Sequence, residues 1–138
     1  MSTLKVNTVQ HNTTGFNNVV QFTDGGGTEN GTLCRAWVNF NGTGTVAIRD
    51  DFNAGSITDN GTGDYTITFD SAFANADYMW TGSIMSTSNL TITRSLQLHR
   101  PTSTTITDPT TSNIRVTATD FSNANPTDQE YVTLIVYA

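Results

Sequence analysis

Residues 34–49 have the sequence CRAWVNFNGTGTVAIR, and this stretch decides the fold class. Two runs of residues that favour β-strands, 36–40 and 45–48, flank the loop sequence Asn-Gly-Thr-Gly. Asn and Gly tolerate the positive φ angles that tight loops between antiparallel strands require. The stretch therefore predicts a β-hairpin, in which we expect Trp37 to face inward with Val46 or Ile48 nearby.

Composition extends this prediction to the whole chain. Only 13% of the 138 residues are charged and 36% are hydrophobic, so uncharged polar residues, chiefly Thr, Asn, Ser and Gly, make up much of the remainder. Thr favours strands, whereas Asn, Ser and Gly favour turns. From Thr32 onward, strand signals recur about every ten residues, which is typical of an antiparallel sandwich. We therefore predict an all-β fold, a jelly-roll-like antiparallel β-sandwich with an extended N-terminal arm.

The individual elements follow from the alternation of apolar and polar residues. Two short segments, 71–75 and 122–125, could form helical turns. The predicted strands of the sandwich are 34–40, 44–50, 55–59, 64–69, 77–85, 89–98, 103–107, 113–120 and 130–137.

The first 32 residues differ in pattern from the rest. Short strands are predicted at 4–9 and 19–22, followed at 24–31 by the Gly-rich sequence DGGGTENG. Each ordered glycine costs about 1 kcal/mol of backbone entropy, so this sequence predicts a flexible linker. We expect an arm and linker at 1–32 and a sandwich domain at 33–138. The arm would attach to a neighbouring protein through its apolar residues, which are Leu4, Val6, Val9, Val19, Val20 and Phe22.

The last predicted strand is apolar on both faces, which is typical of a strand at the centre of a sheet or in a subunit interface. One face carries Val132, Leu134 and Val136. The opposite face is the predicted subunit interface and carries Tyr131, Ile135 and Tyr137.

Charge and composition exclude several classes of function. A net charge of −6 and a pI near 4.4 argue against nucleic-acid binding, which needs a basic surface. No apolar run approaches the roughly 20 residues that span a bilayer, and the N-terminus lacks the plan of a signal peptide. We therefore expect that the chain is synthesised in the cytoplasm and does not insert into a membrane. Cys34 is the single cysteine, so no internal disulfide is expected and a small buried side chain is the favoured interpretation.

Candidate catalytic and metal sites are weak. The two histidines, His11 and His99, lie in no recognisable nucleophile motif. Asp59 and Asp64 flank a Gly turn in a calcium-loop-like arrangement, but the bidentate Glu of such a loop is missing, and Asp is common in turns. We therefore predict no enzyme activity, no catalytic residue, no metal and no cofactor.

Four aromatic residues could instead bind sugar rings. Large aromatic side chains at alternate strand positions are more often part of the core. An aromatic platform for glycan nevertheless stays open as an alternative, with Trp37 and Trp80 as the candidate contacts. The four residues are Trp37, Tyr65, Tyr78 and Trp80.

Residues 34–49, continued through DDFN at 50–53 and SITDNGTGDYTITF at 56–69, resemble a module of tail-fibre and other virion proteins of tailed phages, especially marine podovirus-like ones. The resemblance covers residues 34–80. The first eight residues, MSTLKVNT, are similar to the N-termini of small virion proteins of such phages. The resemblance implies a virion-exposed β-domain, often trimeric, at a tail-fibre, knob or capsid-decorating position, and it implies no catalytic residues.

On this basis we expect a non-enzymatic structural protein, made in the host cytoplasm and displayed on the virion surface by its N-terminal arm. The expected partners are further copies in a homotrimer and other virion proteins of the capsid, portal or tail. Two alternatives stay open: a lectin-like receptor-binding module that recognises host surface glycan, and a capsid cement protein.

Overall fold

The computed structural model describes residues 19–24, 27–86, 94–100, 105–120 and 125–138. Within these ranges the chain forms strands and no helix. The strands, in chain order, are β1 Val19–Asp24, β2 Gly27–Thr32, β3 Cys34–Asn41, β4 Ala47–Phe52, β5 Ser56–Gly61, β6 Asp64–Thr68, β7 Met79–Met85, β8 Arg94–Leu98, β9 Asn113–Asp120, β10 Asn125–Pro126 and β11 Tyr131–Tyr137.

Contacts divide the chain into two compact units, Met1–Leu33 and Cys34–Ala138. In the first unit, β1 and β2 form an antiparallel two-stranded sheet, with Val19 opposite Thr32 and Asp24 opposite Gly27. The prediction of a flexible linker at 24–31 is therefore wrong for Asp24 and for residues 27–31. Backbone pairing along the whole of β2 offsets the entropic cost of its glycines.

The second unit is a sandwich of two antiparallel sheets, which confirms the predicted fold class. One sheet has four strands in the order β4-β3-β11-β7. The other has five strands, in which β9 pairs with β6, β8 and the two-residue β10, and β5 completes the edge beside β6. Strand β11 thus occupies the centre of its sheet, one of the two places predicted for it. We refer below to the four-stranded and five-stranded sheets.

The core lies between the two sheets and is built from alternate residues of four strands. β3 and β11 show strict alternation, and β6 buries Tyr65 and Ile67 while its other residues are half-buried. Period-two alternation of this kind places one face of each strand in the core. The buried residues of these strands are Ala36, Val38, Phe40, Tyr65, Ile67, Ile114, Val116, Ala118, Val132, Leu134 and Val136.

The predicted hairpin is confirmed. β3 pairs with β4, from Trp37 opposite Phe52 to Asn41 opposite Ala47, with an irregularity between Asn39 and Phe40. In the loop, the Asn41 side chain accepts a hydrogen bond from the backbone N–H of Thr43 at 3.2 Å. Gly44 has a φ of 63°, which favours glycine there. Val46 and Ile48 pack against the core as expected.

The remaining strand predictions differ mainly at their ends. Segment 113–120 has the predicted bounds, whereas residues 94–98 are the described part of predicted strand 89–98. Predicted strand 103–107 is wrong for its described residues, since only Thr105 makes an isolated bridge. The helical turn predicted at 71–75 is absent from the described chain, and most of that predicted at 122–125 lies outside the described residues.

An aromatic cluster explains why residues 71–75 are not helical. Phe73 is buried, and its ring centroid lies 4.6 Å from that of Phe69 and 5.0 Å from that of Tyr78. The backbone N–H of Phe73 donates to the carbonyl of Thr111 at 2.8 Å. Burial raises the pKa of Tyr78 to about 12. The segment is thus held by tertiary contacts that override local helical tendency.

A second buried tyrosine links three segments at the other end of the sandwich. The Tyr65 hydroxyl lies 2.9 Å from the carbonyl oxygen of Gly42 and 3.1 Å from Oδ1 of Asp128. The same Asp128 oxygen accepts a hydrogen bond from the N–H of Gly63 at 2.7 Å. Burial and then the charge of Asp128 raise the pKa of Tyr65 well above its usual value. The network connects the β3–β4 loop to β6 and to the segment before β11.

Candidate functional site

The outer face of the four-stranded sheet carries an apolar surface. Trp37 lies between Phe52 of β4 and Ile135 of β11, and Tyr137 lies opposite Met79 of β7. Phe52 is 53% exposed and Met79 is 65% exposed. Cross-strand neighbours on one face lie close enough for their side chains to interact. We call these five residues, Trp37, Phe52, Met79, Ile135 and Tyr137, the apolar face.

The structure corrects the expected orientation of Trp37. Ala36 and Val38 on either side of it are 1% exposed, whereas Trp37 is only half-buried and is not part of the core. Neighbouring residues in a strand point to opposite faces of the sheet. The three residues Ala36, Val38 and Phe40 take the inward positions, so Trp37 is directed to the outer face.

The predicted interface residues lie on this same outer face. Ile135 and Tyr137 belong to the apolar face, and both are half-buried. Tyr131 lies at the other end of β11, opposite Met85, with the guanidinium carbon of Arg49 4.3 Å from its ring centroid. Thr133 separates Tyr131 from Ile135 along the strand. The structure therefore places Ile135 and Tyr137 near Trp37, whereas the polar residue Thr133 separates Tyr131 from them.

The proposed aromatic platform does not form. Trp80 pairs with Val136 and packs against the core, so it lies on the opposite face of the sheet from Trp37. Tyr65 and Tyr78 are 0% and 8% exposed, respectively. A glycan stacked on aromatic rings could therefore use Trp37 with Phe52, but not the four residues together.

The predicted attachment residues belong to the first unit. Val19, Val20 and Phe22 lie in β1, and their strand pairs along its length with β2. Leu4, Val6 and Val9 lie outside the described residues, as does His11.

The outer face of the five-stranded sheet is polar and contains a charged cluster. The guanidinium of Arg115 donates two hydrogen bonds to Asp64, from Nε at 2.9 Å and from Nη2 at 2.7 Å. These bonds raise the pKa of Arg115. A two-point contact between guanidinium and carboxylate fixes the orientation of both groups. Asp64 starts β6 and Arg115 lies in the adjacent β9, so the sheet itself sets their separation.

His99 joins this cluster from the end of β8. Its Nδ1 atom lies 3.1 Å from Oγ1 of Thr117 and 3.4 Å from Oδ2 of Asp64. Its backbone makes two hydrogen bonds: the N–H donates to the backbone carbonyl of Arg115, and the carbonyl accepts from the backbone N–H of Thr107. A hydrolase relay needs the acid and the nucleophile on opposite ring nitrogens. Here Asp64 and Thr117 approach the same nitrogen, so the three groups do not form such a relay.

A cleft with a volume of about 260 Å³ opens beside this cluster. The β5–β6 turn forms one wall, and His99, Thr117 and Pro126 contribute to the others. Sequence reasoning considered Asp64 and His99 separately and missed the cluster that they form with Arg115. The members of this cluster are far apart in the sequence, since Asp64 and Arg115 are 51 residues apart. The lining residues are Asn60, Gly61, Thr62, Asp64, His99, Arg100, Thr117 and Pro126.

The other chemistry-bearing residues have local structural roles. Oδ1 of Asp59 accepts a hydrogen bond from the N–H of Gly61 at 2.9 Å, which agrees with the turn interpretation of the Asp59–Asp64 segment. Among the described residues, no group of three or more His, Cys, Asp or Glu side chains is placed to hold a metal ion. Cys34 is half-buried rather than fully buried, with its Sγ 3.4 Å from the carbonyl oxygen of Ala36.

In the described parts of the chain, no helix is long and apolar enough to cross a membrane. A comparison with protein-family models, curated proteins and solved structures finds no match.

Proposed function

We propose that this chain is a non-enzymatic structural protein of a tailed-phage virion, displayed on the particle as a tail-fibre, knob or capsid-decorating appendage. The resemblance of residues 34–80 to virion modules supports the virion role. The apolar face is the observation that carries the structural role, since it gives the sandwich a surface suited to assembly.

The two outer faces of the sandwich differ in a way that favours assembly through one of them. Phe52 and Met79 expose more than half of their surface on the four-stranded sheet, where Phe52 lies beside Trp37 and Met79 lies opposite Tyr137. The five-stranded sheet instead carries Asp64 and Arg115 on its outer face. Contiguous exposed apolar residues commonly mark protein interfaces, and aromatic residues and Met are enriched there. We propose that the apolar face joins copies of the chain in a homotrimer.

Residues 1–32 attach the subunit to other virion proteins of the capsid, portal or tail in this proposal. The β1–β2 hairpin has two edges through which a partner sheet could be extended by strand addition. We expect a variant that lacks residues 1–32 to fold but not to join particles. Particle incorporation measured by immunoblotting of purified virions checks this, and normal incorporation of the truncated protein would contradict it.

One observation favours a second candidate function, the lectin-like module. Trp37 lies on the outer face beside exposed Phe52, where a sugar ring could stack on it. In that case Trp37→Ala should abolish binding to host cells and leave the oligomeric state unchanged. In the assembly proposal the same change weakens the oligomer. A cement protein would share the apolar interface but occupy the capsid shell.

Electron microscopy of particles labelled with an antibody to residues 33–138 tests the proposed location. We expect the label at defined positions on the tail or capsid surface. Absence of label from intact particles, with the antibody shown to bind the native purified protein, would contradict the proposal.

A further inference from the structure

The cleft on the five-stranded sheet has the features of a small binding site. Its β5–β6 wall contributes Asn60, Gly61 and Thr62, all of which are exposed, so the cleft is open to solvent on this side. Thr117 also lines the cleft, and it is only 8% exposed although it lies on the outer face of its sheet. The cleft is therefore lined by both exposed and buried polar side chains.

The polar groups of the cleft are held in place before any ligand arrives. Arg115 fixes Asp64 through two hydrogen bonds, and Asp64 retains only 14% side-chain exposure. His99 is anchored through its backbone to Arg115 and Thr107 and through Nδ1 to Thr117. Fixed polar groups favour binding because less conformational entropy is lost when a ligand is bound.

The lining chemistry fits a hydroxyl-rich ligand. It combines acceptors and donors, and both signs of charge. Asp64 supplies a carboxylate, Arg100 a guanidinium, Asn60 an amide, Thr62 and Thr117 hydroxyls, and His99 an imidazole. The charge of Asp64 is compensated by Arg115, which reduces its repulsion of a ligand rich in oxygen. None of the described lining residues is Phe, Tyr or Trp, and Pro126 provides an apolar side chain. Hydroxyl groups both donate and accept, so they match such a mixed lining better than a purely anionic or apolar ligand does.

Size restricts the ligand further. Pockets for drug-sized ligands have volumes of about 300–1,000 Å³, and this cleft, at about 260 Å³, lies below that range. We propose that the cleft between the β5–β6 turn, His99 and Thr117 binds one terminal sugar residue of a polysaccharide. This activity goes beyond the proposed structural role and uses the face of the sandwich opposite the apolar face.

Nuclear magnetic resonance titration of the isotopically labelled full chain tests the proposal. The probes are methyl glycosides of glucose, galactose, mannose, rhamnose and N-acetylglucosamine, with disaccharides of the sugar that binds and inorganic phosphate as separate arms. We expect saturable shifts in the millimolar range at the amides of Gly61, Thr62, His99 and Thr117 with at least one glycoside. A disaccharide should bind as well, since only its terminal residue enters the cleft.

Matched variants locate the binding. His99→Ala and Thr62→Ala should each weaken binding about 3- to 10-fold, the equivalent of one hydrogen bond. Thr45→Ala is the control, because Thr45 is also an exposed loop threonine but lies outside the cleft. If His99→Ala does not fold, Thr62→Ala still decides the test, because its side chain lies in an exposed turn.

Three results would overturn the proposal: no saturable shift with any glycoside, the same shifts with phosphate alone, or shifts confined to Trp37 and its neighbours. Binding of a free sugar with exclusion of disaccharides would contradict the assignment to a polysaccharide end. The absence of glycoside binding, or equal shifts with phosphate, leaves assembly through the apolar face untouched, whereas shifts confined to Trp37 would favour the lectin-like candidate instead, so the failures of the two proposals are distinguishable.

Discussion

Tyr65 shows how a single residue holds the sandwich together. Its ring is fully buried, and its hydroxyl lies between acceptors on Gly42 and Asp128. We expect Tyr65→Phe to lower the free energy of unfolding by about 1–3 kcal/mol, because the carbonyl of buried Gly42 loses its partner. Urea unfolding checks this. Tyr131→Phe is the control and should change stability by less than about 0.5 kcal/mol, and an equal loss in both variants would refute a special role for the Tyr65 hydroxyl.

Ionisation of the buried tyrosines should make the fold sensitive to alkaline pH. Both Tyr65 and Tyr78 have folded-state pKa values raised above 10.0, in the case of Tyr78 to about 12. The protonated hydroxyls therefore contribute fully to stability below pH 10, and this contribution is lost as the pH rises through about 12. We expect a falling urea midpoint above pH 10 together with delayed tyrosinate absorbance. Simultaneous ionisation of all tyrosines near pH 10 in the folded protein would contradict this.

Trp37 shows that a large aromatic residue in a strand need not face the core. A large aromatic side chain suggests burial, but the small and apolar residues Ala36 and Val38 occupy the inward positions. The alternation through Phe40 contains this information, but the prediction assigned the inward face to Trp37 instead of to Ala36, Val38 and Phe40. His99 and Asp64 present the opposite problem, since their association depends on a pairing of distant strands that periodicity alone does not reveal.

At the scale of the element, β11 is a strand with two different apolar faces. Leu134 is 1% exposed and faces the core, whereas the adjacent Ile135 is half-buried on the apolar face. We expect Leu134→Ala to lower the free energy of unfolding by about 2–5 kcal/mol through lost burial and the cavity left behind. Ile135→Ala should cost the isolated subunit no more than about 1 kcal/mol.

Urea unfolding at several protein concentrations separates the two effects, because association makes apparent stability depend on concentration. The concentration dependence should weaken in Ile135→Ala and persist in Leu134→Ala. An Ile135→Ala loss as large as that of Leu134→Ala, at a concentration where both are monomeric, would place Ile135 in the core.

The elements were predictable where alternation is strong and less so where tertiary contacts decide. Strand 113–120 and the hairpin after Cys34 follow from their residue patterns. The β1–β2 pair was missed because glycine content alone does not show whether a partner strand is available. The segment around Phe73 was misjudged because its conformation depends on Phe69 and Tyr78, which pack around it.

At the scale of the whole molecule, the sandwich presents two chemically distinct outer faces. Sequence reasoning identified two members of the apolar face, Ile135 and Tyr137, from the two-sided apolarity of the last strand. It could not add Phe52 or Met79, because their position beside Trp37 and Tyr137 depends on strand order and register. The cleft was out of reach for the same reason, since its walls come from five separate strands or their ends.

Assembly through the apolar face is the central proposal for this protein, and sedimentation velocity at micromolar concentration is its sharpest test. A charge introduced at Ile135 would lose its water in the proposed interface. A charge introduced at Thr58 would stay hydrated, because Thr58 is exposed on the five-stranded sheet. We expect a trimer for the unmodified chain, a folded monomer for Ile135→Asp and a trimer for Thr58→Asp. A monomeric unmodified chain, or an Ile135→Asp variant that remains trimeric, would contradict the proposal.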